Sequence, residues 1–366
     1  MSSTFVTHTE LIAALGNSTS ENFSKAWEGR TGIKEINQEI YKNAFWGGQI
    51  DWEYITNNSL LKSATKFDNL VNVLLKKVVE NTQIDLSDPE VLVILCSTKG
   101  NAEQINVAPY EECTLWYSTN KLKEDFSIKN DVLLISNACI SGSAGIATGK
   151  RMLDSNKYHT AVVLGADVLS PFIISGFESF MALSDGVCKP YSEERNGINI
   201  GEAGAAVVLQ KGIESNIILK NGAITNDANH ISGPSRDGMG LFLAIDNCLS
   251  LEDKPDFISG HGTATPYNDE MESLAIEKAG LSHVPMNSFK STFGHTLGAA
   301  GILESILSIE MMNQNRALST HNFGTNGVSG KVTIQSKNQQ LNINTLLKTA
   351  AGFGGSNAAL VFQKLV

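Results

Sequence analysis

The chain has 366 residues, of which 42% are apolar and 18% are charged. A chain of this length and composition is typical of a folded globular protein and needs neither disulfides nor a metal ion to stabilise its core. The net charge of −10 argues against nucleic acid as the main partner, because phosphate binding requires clustered lysine and arginine.

The cysteine pattern indicates a reducing compartment. The five cysteines are scattered, no CxxC pair occurs, and so neither a disulfide framework nor a zinc site is predicted. A basic segment followed by an apolar leader is not seen at the start, and no run approaches 18 apolar residues. We therefore expect a cytoplasmic protein without a membrane span.

Helix and strand patterns alternate along the chain. Strands are predicted at 91–95, 132–135, 160–165, 204–209, 216–220, 257–261, 284–289 and 358–362. Helices are predicted at 20–27, 63–79, from 143 onward, and at 238–249, 270–279 and 298–313. The segment 97–130 looks irregular and is predicted to form a lid or an interface.

Two series of strands and helices meet near Lys211. They predict a layered α/β architecture with buried parallel strands. A strand, a glycine-rich turn and a helix of small residues occur around Cys139 and again over 289–311, a faint sign of internal duplication. We expect one compact double unit rather than two independent domains.

Cys139 lies between the predicted strand 132–135 and the following helix. A thiol near a helix start faces unpaired N–H groups and the positive end of the helix dipole, which favour the thiolate. The small residues over 141–145 allow another segment to approach the sulfur. Cys139 is thus a candidate nucleophile, and the alternative is a small buried apolar residue.

Two histidines, His261 and His295, lie in turns bounded by glycine at the ends of elements. Such flanks allow a substrate to approach the imidazole closely. Either histidine alone could be a buried structural residue, but two such turns together with Cys139 indicate a catalytic site.

Charged residues near these turns form a candidate support. Lys290 precedes His295 by five residues, Glu304 follows it by nine, and Asp269 follows the His261 turn. Together they could fix Lys290 and orient the histidines, or they could form ordinary surface ion pairs. The glycine-rich turn 351–357 could direct an N–H group at a substrate carbonyl beside the sulfur.

Taken together, these segments resemble the β-ketoacyl-(acyl carrier protein) synthases of the thiolase-like superfamily. The resemblance rests on the ordered motifs Asn137-Ala-Cys139, 177–186, Lys189-Pro-Tyr191, 201–204, 261–265 with Asn268-Asp269, Lys290-Ser with Gly294-His295, 298–301 and 352–357. It implies an α/β thiolase-like layered fold with two pseudo-symmetric βαβ halves, 1–211 carrying the cysteine and 212–366 carrying the two histidines. The Cys-His-His set is similar to that of the elongating branch.

The resemblance implies a decarboxylative Claisen condensation without a metal or cofactor. Cys139 would take an acyl group from a carrier thioester, and the N–H groups of Cys139 and Phe353 would form the oxyanion hole. His261 and His295 would hold the malonyl thioester carbonyl, with Lys290 and Glu304 in support.

Further roles follow from the resemblance alone. Phe353 would also gate the acyl pocket, Phe177 would flank the reacting carbon, and Thr263 and Thr265 would bind the pantetheine arm. Lys62 and Lys66 would contact the acidic acyl carrier protein, or they could belong to an ordinary solvated helix start. The implied partners are acyl- and malonyl-carrier and a second synthase subunit, identical or related.

The chain departs from the family pattern in three places, the first being a first strand that starts later than is usual. The segment between Cys96 and Asn130 is short, and Ile140 replaces a residue that is usually small or polar. The expected pathway is fatty-acid or polyene/polyketide synthesis, including aryl polyenes. Alternatives are a starter-condensing or thiolase-like acyltransferase, or a non-catalytic partner that sets the chain length of another synthase.

Overall fold

The computed structural model describes residues 3–60, 65–105 and 107–365. Within these ranges the strands β1 to β16 are, in chain order, Thr4–Ile12, Ile33–Ile36, Phe45–Gly48, Val91–Cys96, Leu133–Ile135, Thr160–Asp167, Ile200–Gly201, Ala203–Lys211, Ile217–Asn226, Phe257–Ser259, Pro285–Asn287, Arg316–Ala317, Thr333–Ile334, Gln339–Gln340, Thr345–Gly352 and Ser356–Lys364. The helices α1 to α10 are Thr19–Trp27, Trp52–Asn58, Lys66–Thr82, Leu115–Asp125, Ser141–Asp154, Pro171–Ser179, Met239–Cys248, Pro266–Lys278, Lys290–Phe293 and Ala300–Gln314.

Eleven of these strands form one mixed sheet, and its strand order repeats. The order is β13-β11-β10-β15-β16-β9-β1-β8-β6-β4-β5. On one side, β1 pairs with β8 and β8 with β6 in antiparallel fashion, whereas β4 pairs in parallel with β6 and β5. On the other side, β9, β16, β15, β10 and β11 follow the same pattern. The faint duplication in the sequence is therefore a repeated five-strand topology.

The predicted layered α/β architecture is confirmed, but the expectation of parallel strands is wrong in part. Strand β8 is antiparallel to both of its neighbours in the sheet, and so is β16. The tight turn that joins β15 to β16 explains the second case, because a hairpin can only pair its strands antiparallel. The two five-strand sets meet through Phe5 and Ile218, and the boundary expected after residue 211 falls in the connection between β8 and β9.

Helices α5 and α10 lie between the two sets of strands. Each contacts strands of both sets, and the two helices contact each other. Glycines allow this approach, since a Cβ at Gly142 would come 2.8 Å from the Gly298 carbonyl oxygen. The small residues over 141–145 thus admit a second segment, as predicted, but that segment is the start of α10. This packing brings the turn before α5 close to the turn before α10.

Several boundaries differ from the predictions. The helix expected from Ser63 begins at Lys66, where Thr65 accepts a hydrogen bond from the Asp68 N–H group at 3.1 Å, and Ser63 lies outside the described residues. The segment 97–130, which was expected to be irregular, contains α4. This helix forms because Leu122 is buried in the same apolar cluster as residues of β4. No helix in the described ranges is both long enough and apolar enough to cross a membrane.

Candidate active site

Cys139 lies in a tight turn between β5 and α5. The turn places Ala138 at a φ of +44°, an unfavourable value for a residue with a side chain. Ser141 holds it in place, since its hydroxyl accepts from the Asn137 N–H group at 2.8 Å and donates to the Ala138 carbonyl at 2.7 Å. Cys139 therefore stands two residues before the first residue of α5, close to the predicted position.

Ile140, a departure from the family pattern, belongs to the apolar core. Its side chain is fully buried and packs with Ala144, Ala350 and Ala358. The large residue after the cysteine therefore fills a small apolar core between α5 and the hairpin β15–β16.

The hairpin β15–β16 brings a hydrogen-bond donor to the sulfur. A Cβ at Gly352 would come 3.1 Å from the Cys139 nitrogen, so a glycine is needed where the two backbones pass. The next residue, Phe353, donates its backbone N–H to the Cys139 sulfur. The glycine-rich turn therefore lies beside the thiol, as the sequence predicted.

The expectation that the position of Cys139 favours the thiolate is wrong for the resting protein. Burial of the thiol raises its pKa to about 11, although the charges of Lys290 and Lys99 and the Phe353 N–H act in the opposite direction. The cost of removing a thiolate from water therefore exceeds the combined effect of these two charges and the Phe353 N–H. Cys139 carries its proton at neutral pH.

The structure brings the two histidines together. The ring centroids of His261 and His295 are 5.3 Å apart, and the ring planes are nearly perpendicular at 84°. Both side chains are buried. The backbone of His295 is held on both sides, since its N–H donates to the Asn199 carbonyl at 2.7 Å and its carbonyl accepts from Gly201 at 3.0 Å.

Both imidazoles are neutral and have nitrogens available for a ligand. Burial lowers the pKa of each ring well below its usual value, and the nearby Lys290 and Lys348 charges lower it further. Within the described residues, Nδ1 of His261 and both ring nitrogens of His295 lack a hydrogen-bond partner. A neutral imidazole can donate one N–H, so the pair can hold one substrate oxygen.

A buried ionic cluster supports the histidines. Lys290 donates to the His261 carbonyl at 3.0 Å and forms an ion pair with Glu304. The second carboxylate oxygen of Glu304 lies 2.7 Å from the Lys348 ammonium. Lys290 and Lys348 are fully buried, and burial lowers the pKa of Lys348. The predicted pairing of Lys290 with Glu304 is present, and Lys348 was missed.

Asp269 does not join this cluster, in contrast to the expectation. Its buried carboxylate accepts backbone N–H groups of Tyr191 at 2.7 Å and Thr263 at 2.8 Å, and burial raises its pKa to about 6. It therefore holds the loop after His261. Glu272, which the sequence analysis missed, accepts from the His261 N–H at 2.7 Å and the Tyr191 hydroxyl at 2.8 Å.

The predicted substrate-binding residues line the same region. The hydroxyls of Thr263 and Thr265 are hydrogen-bonded to each other at 2.8 Å. The Phe353 ring stacks on Phe177 with centroids 6.1 Å apart and meets Phe180 edge-on at 5.7 Å. The Phe353 side chain is 39% exposed, and so this aromatic group reaches the protein surface next to Cys139.

Of the two lysines predicted to contact the carrier protein, only Lys66 lies within the described residues. Lys62 lies outside the described residues. Lys66 is exposed at the start of α3, and its ammonium lies 4.8 Å from the centroid of the Trp52 ring. Contact with a carrier protein stays a prediction for both residues.

Lys348 and Glu272 show what sequence reasoning missed. A lysine within the apolar strand 345–352 is a visible signal, because a charge there must be paired or neutral. Glu272 gives no such signal, since it lies on the helix α8, whose sequence looks ordinary.

Comparison with known proteins agrees with this geometry. Residues 94–214 match the family described as "Beta-ketoacyl synthase, N-terminal domain", and 217–324 match "Beta-ketoacyl synthase, C-terminal domain". Among curated proteins, the 3-oxoacyl-[acyl-carrier-protein] synthase 2 of Coxiella burnetii is 25% identical, with 98% of each chain covered. The Staphylococcus aureus (strain N315) protein of the same name is also 25% identical, with 96% of each chain covered.

Solved structures share the fold. A ketosynthase in complex with its chain length factor from Xenorhabdus doucetiae has a TM-score of 0.86 at 22% identity, covering 100% of this chain and 98% of that one. The ishigamide ketosynthase/chain length factor has a TM-score of 0.89 at 20% identity, with both chains fully covered. The fold is thus thiolase-like, and the two family matches together span most of the chain. The protein belongs to the β-ketoacyl synthase family, the acyltransferases that form carbon–carbon bonds.

Proposed function

We propose that the protein is a β-ketoacyl-(acyl carrier protein) synthase that condenses an acyl group on Cys139 with malonyl-carrier. One observation carries the proposal: a partly buried thiol that accepts the Phe353 N–H lies in the turn before α5, and the close packing of α5 and α10 brings this turn towards the turn of His295, one of two neighbouring neutral imidazoles with unpaired ring nitrogens. The thiol is suited to acyl transfer, and the pair of imidazoles is suited to holding an enolate oxygen.

In the first step, the acyl group moves from the carrier sulfur to Cys139. The bond from the acyl carbon to the carrier sulfur breaks, the bond to Cys139 forms, and the thiol proton leaves with the carrier thiol. The Phe353 N–H, which contacts the resting sulfur, is placed to donate to the acyl oxygen together with the Cys139 N–H. Each such donor contributes about 3–4 kcal/mol in other acyl-transfer enzymes.

In the second step, malonyl-carrier loses carbon dioxide, and the resulting enolate attacks the acyl carbon. Hydrogen bonds from His261 and His295 to the thioester oxygen stabilise the enolate. The bond to the Cys139 sulfur then breaks, and the released thiolate takes a proton from water. Lys290, fixed by Glu304, is a positioning residue because it holds the His261 carbonyl.

The pantetheine arm and the carrier protein complete the proposal. Thr263 and Thr265 would bind the arm, Phe177 would flank the reacting carbon, and Phe353 would gate the acyl pocket. The relatives are named for acyl carrier protein, and two solved neighbours include a chain length factor. We therefore include a carrier protein and a second synthase subunit, identical or related, as partners in fatty-acid or polyene/polyketide synthesis.

Two further predictions belong to the proposal. The halves 1–211 and 212–366 are the repeated units, which the repeated strand order supports. A cytoplasmic location is supported by the five cysteines, all of which are free.

The test of the reaction is a condensation assay with intact-mass analysis of the protein. The wild type should gain one acyl group from acyl-carrier, and malonyl-carrier should release it as product. Cys139→Ala should lose the adduct and lower the condensation rate by more than about a thousandfold. Cys113→Ala is the matched control, because the partly exposed Cys113 lies just before α4 and contributes no contact to the site described above. Turnover by Cys139→Ala would reject the proposal and favour a partner subunit that only shapes another synthase.

The test of carrier docking is a charge reversal. Lys66→Glu should weaken binding of an acidic carrier protein and reduce its dependence on salt. Lys331→Glu, a reversal of a well-exposed lysine just before the edge strand β13, is the control. Equal affinity for both variants would remove Lys66 from the docking surface.

A further inference from the structure

Lys348 is a charged residue within the buried strand β15. Its side chain is fully buried, and its neighbours Leu347 and Thr349 are buried as well. The strand pairs in parallel with β10, which places Lys348 directly opposite Ser259. A buried ammonium is costly unless acceptors surround it, and so the atoms around Lys348 indicate its role.

The ammonium group of Lys348 is surrounded by oxygen atoms. It lies 2.7 Å from a carboxylate oxygen of Glu304 and donates to the carbonyl of Thr349 and, at 3.4 Å, to that of Ser259. The buried hydroxyl of Ser259, the residue opposite Lys348, lacks a hydrogen-bond partner within the described residues. Carboxylate, carbonyl and hydroxyl oxygens are also the ligands that hold dissolved cations. The ammonium therefore occupies a place that would suit a small free cation.

Through Glu304, the Lys348 charge reaches the carbonyl side of His261. The Glu304 carboxylate lies between the buried ammonium groups of Lys348 and Lys290. Lys290 in turn donates to the His261 carbonyl at 3.0 Å. Without the Lys348 charge, one oxygen of the carboxylate would lose its ionic partner, and the support of Lys290 would no longer be fixed from two sides.

The next residue of the strand reaches the amide side of the same histidine. The Thr349 hydroxyl donates to a carboxylate oxygen of Glu272 at 2.7 Å, and the same oxygen accepts the His261 N–H at 2.7 Å. Adjacent residues of a strand point to opposite faces of the sheet, so Lys348 reaches α10 and Thr349 reaches α8. Both backbone groups of His261 are thus connected to one short stretch of β15.

The same strand ends next to the donor that contacts Cys139. Strand β15 runs on from Thr349 to Gly352, and Phe353 follows with the N–H group that donates to the sulfur. Catalytic groups need supports that hold them to a fraction of an ångström, because small displacements slow a reaction strongly. Lys348 therefore lies where the support of an imidazole joins the strand that leads to the oxyanion donor.

We propose that Lys348 is a positioning residue whose ammonium group acts as a built-in cation of the condensing site. Its charge fixes Glu304 and thereby keeps His261 aligned with the Phe353 N–H. Because this charge is part of the chain, the reaction requires no dissolved monovalent cation. The inference rests on the proposed condensing function and adds a residue that acts through others.

The first test removes the charge and keeps most of the volume. Lys348→Met should lower kcat for condensation about ten- to a hundredfold with little change in KM, because Lys348 acts on the position of His261 and not on the substrate. Circular dichroism checks that the variant is folded. Lys331→Met, a change at an exposed lysine, is the control and should keep the wild-type rate. A wild-type kcat in Lys348→Met would overturn the proposal.

The second test replaces the lost charge with a dissolved cation. Lys348→Ala leaves a space lined by the same oxygen atoms, so ammonium or potassium chloride should restore most of the lost kcat in a saturable manner. Choline chloride at equal ionic strength should restore none, because its cation is too large for the space. Lys348→Met should respond to none of these salts, since its side chain fills the space. A wild type that depends on ammonium or potassium, or a folded Lys348→Ala that does not respond to them, would overturn the proposal.

A measurement without turnover separates this inference from the proposed function. A ligand that binds the folded state raises the unfolding temperature, so ammonium chloride should raise that of Lys348→Ala above its value in choline chloride. The wild type should show no such difference. If the wild type forms no condensation product, the proposed function fails, and the shift in unfolding temperature still tests the built-in cation. Equal unfolding temperatures of Lys348→Ala in the two salts would overturn it. If Lys348→Ala folds in neither salt, the kcat of Lys348→Met decides.

Discussion

A protonated thiol is the resting state of the candidate nucleophile. Burial outweighs the favourable contributions of Lys290, Lys99 and the Phe353 N–H, and the pKa of Cys139 rises to about 11. Such a thiol resists oxidation and alkylation, since both reactions require the thiolate. Reactivity then has to arise when the acyl thioester is bound, because the proton can leave with the carrier thiol.

The pH dependence of alkylation tests this state. The rate at which iodoacetamide modifies Cys139 should rise about tenfold per pH unit from pH 7 to 9 and still increase at pH 10, because the thiolate fraction grows until the pKa is reached. Peptide mass spectrometry distinguishes Cys139 from the other cysteines. A rate that levels off below pH 9 would show that the thiolate is favoured after all.

Sequence reasoning located the reactive residues but not all of their supports. Cys139, His261 and His295 each lie in a turn whose glycines or small residues mark a close approach. Asp269 was predicted to join the Lys290 cluster and does not, and Glu272, which accepts from the His261 N–H, was not predicted. Asp269 and Glu272 are three residues apart on one helix face, and the sequence does not reveal which carboxylate reaches which donor.

At the level of elements, a buried cluster joins α9, α10 and β15. It contains one carboxylate, Glu304, between the ammonium groups of Lys290 and Lys348. The three residues are far apart in the sequence, and only the packing of α10 between the two sets of strands brings them together. The cluster therefore links the support of His261 to the strand that leads to Phe353.

Replacing Glu304 should be much more damaging than replacing Lys348. Glu304→Gln removes the carboxylate that is paired with both buried lysines and should lower the free energy of unfolding by about 3–5 kcal/mol. Lys348→Met should cost less, because it leaves the pair of Lys290 and Glu304 neutral and fills the space with an apolar chain. Urea unfolding of both variants measures the difference, and equal losses would contradict this account of the cluster.

The elements themselves were predictable where periodicity is strong. The strands β4, β6 and β8 and the helices α7 and α10 lie within a few residues of their predicted positions. Short strands such as β2 and β3, and the lysine-containing β15, were not predicted, because their patterns are brief or interrupted by charge. The strand order also could not be predicted from the sequence, because most strands that are neighbours in the sheet are distant in the chain.

At the level of the whole molecule, Glu202 connects segments from three regions of the N-terminal half. Its fully buried carboxylate accepts from the Ile50 N–H at 3.3 Å, the Trp52 indole at 3.0 Å and the Leu169 N–H at 3.0 Å. Burial raises its pKa to about 7. The residue follows Gly201, which donates to the His295 carbonyl.

This group should make the stability of the fold depend on pH. Because the folded-state pKa lies above the ordinary value of 4.5, the protonated form is favoured in the folded protein. The contribution of Glu202 to the free energy of unfolding is fully present below about pH 4.5 and is lost as the pH rises through about 7. Between pH 5 and pH 8 the wild type should lose up to about 3 kcal/mol relative to Glu202→Gln.

Urea unfolding of both proteins at pH 5 and pH 8 gives this comparison. All other titrating groups are shared, so their contributions cancel in the difference between the two proteins. A difference that stays the same at both pH values would contradict the raised pKa.

The proposed reaction divides its two steps between one sulfur, which carries the acyl group, and two imidazoles, which promote decarboxylation. The most direct measurement is carbon dioxide release from malonyl-carrier by Cys139→Gln, with Cys139→Gln/His261→Ala as the comparison. We expect Cys139→Gln to form no condensation product but still to decarboxylate malonyl-carrier, and we expect the added change at His261 to stop the release. Loss of carbon dioxide release in Cys139→Gln, or its persistence without His261, would contradict the division.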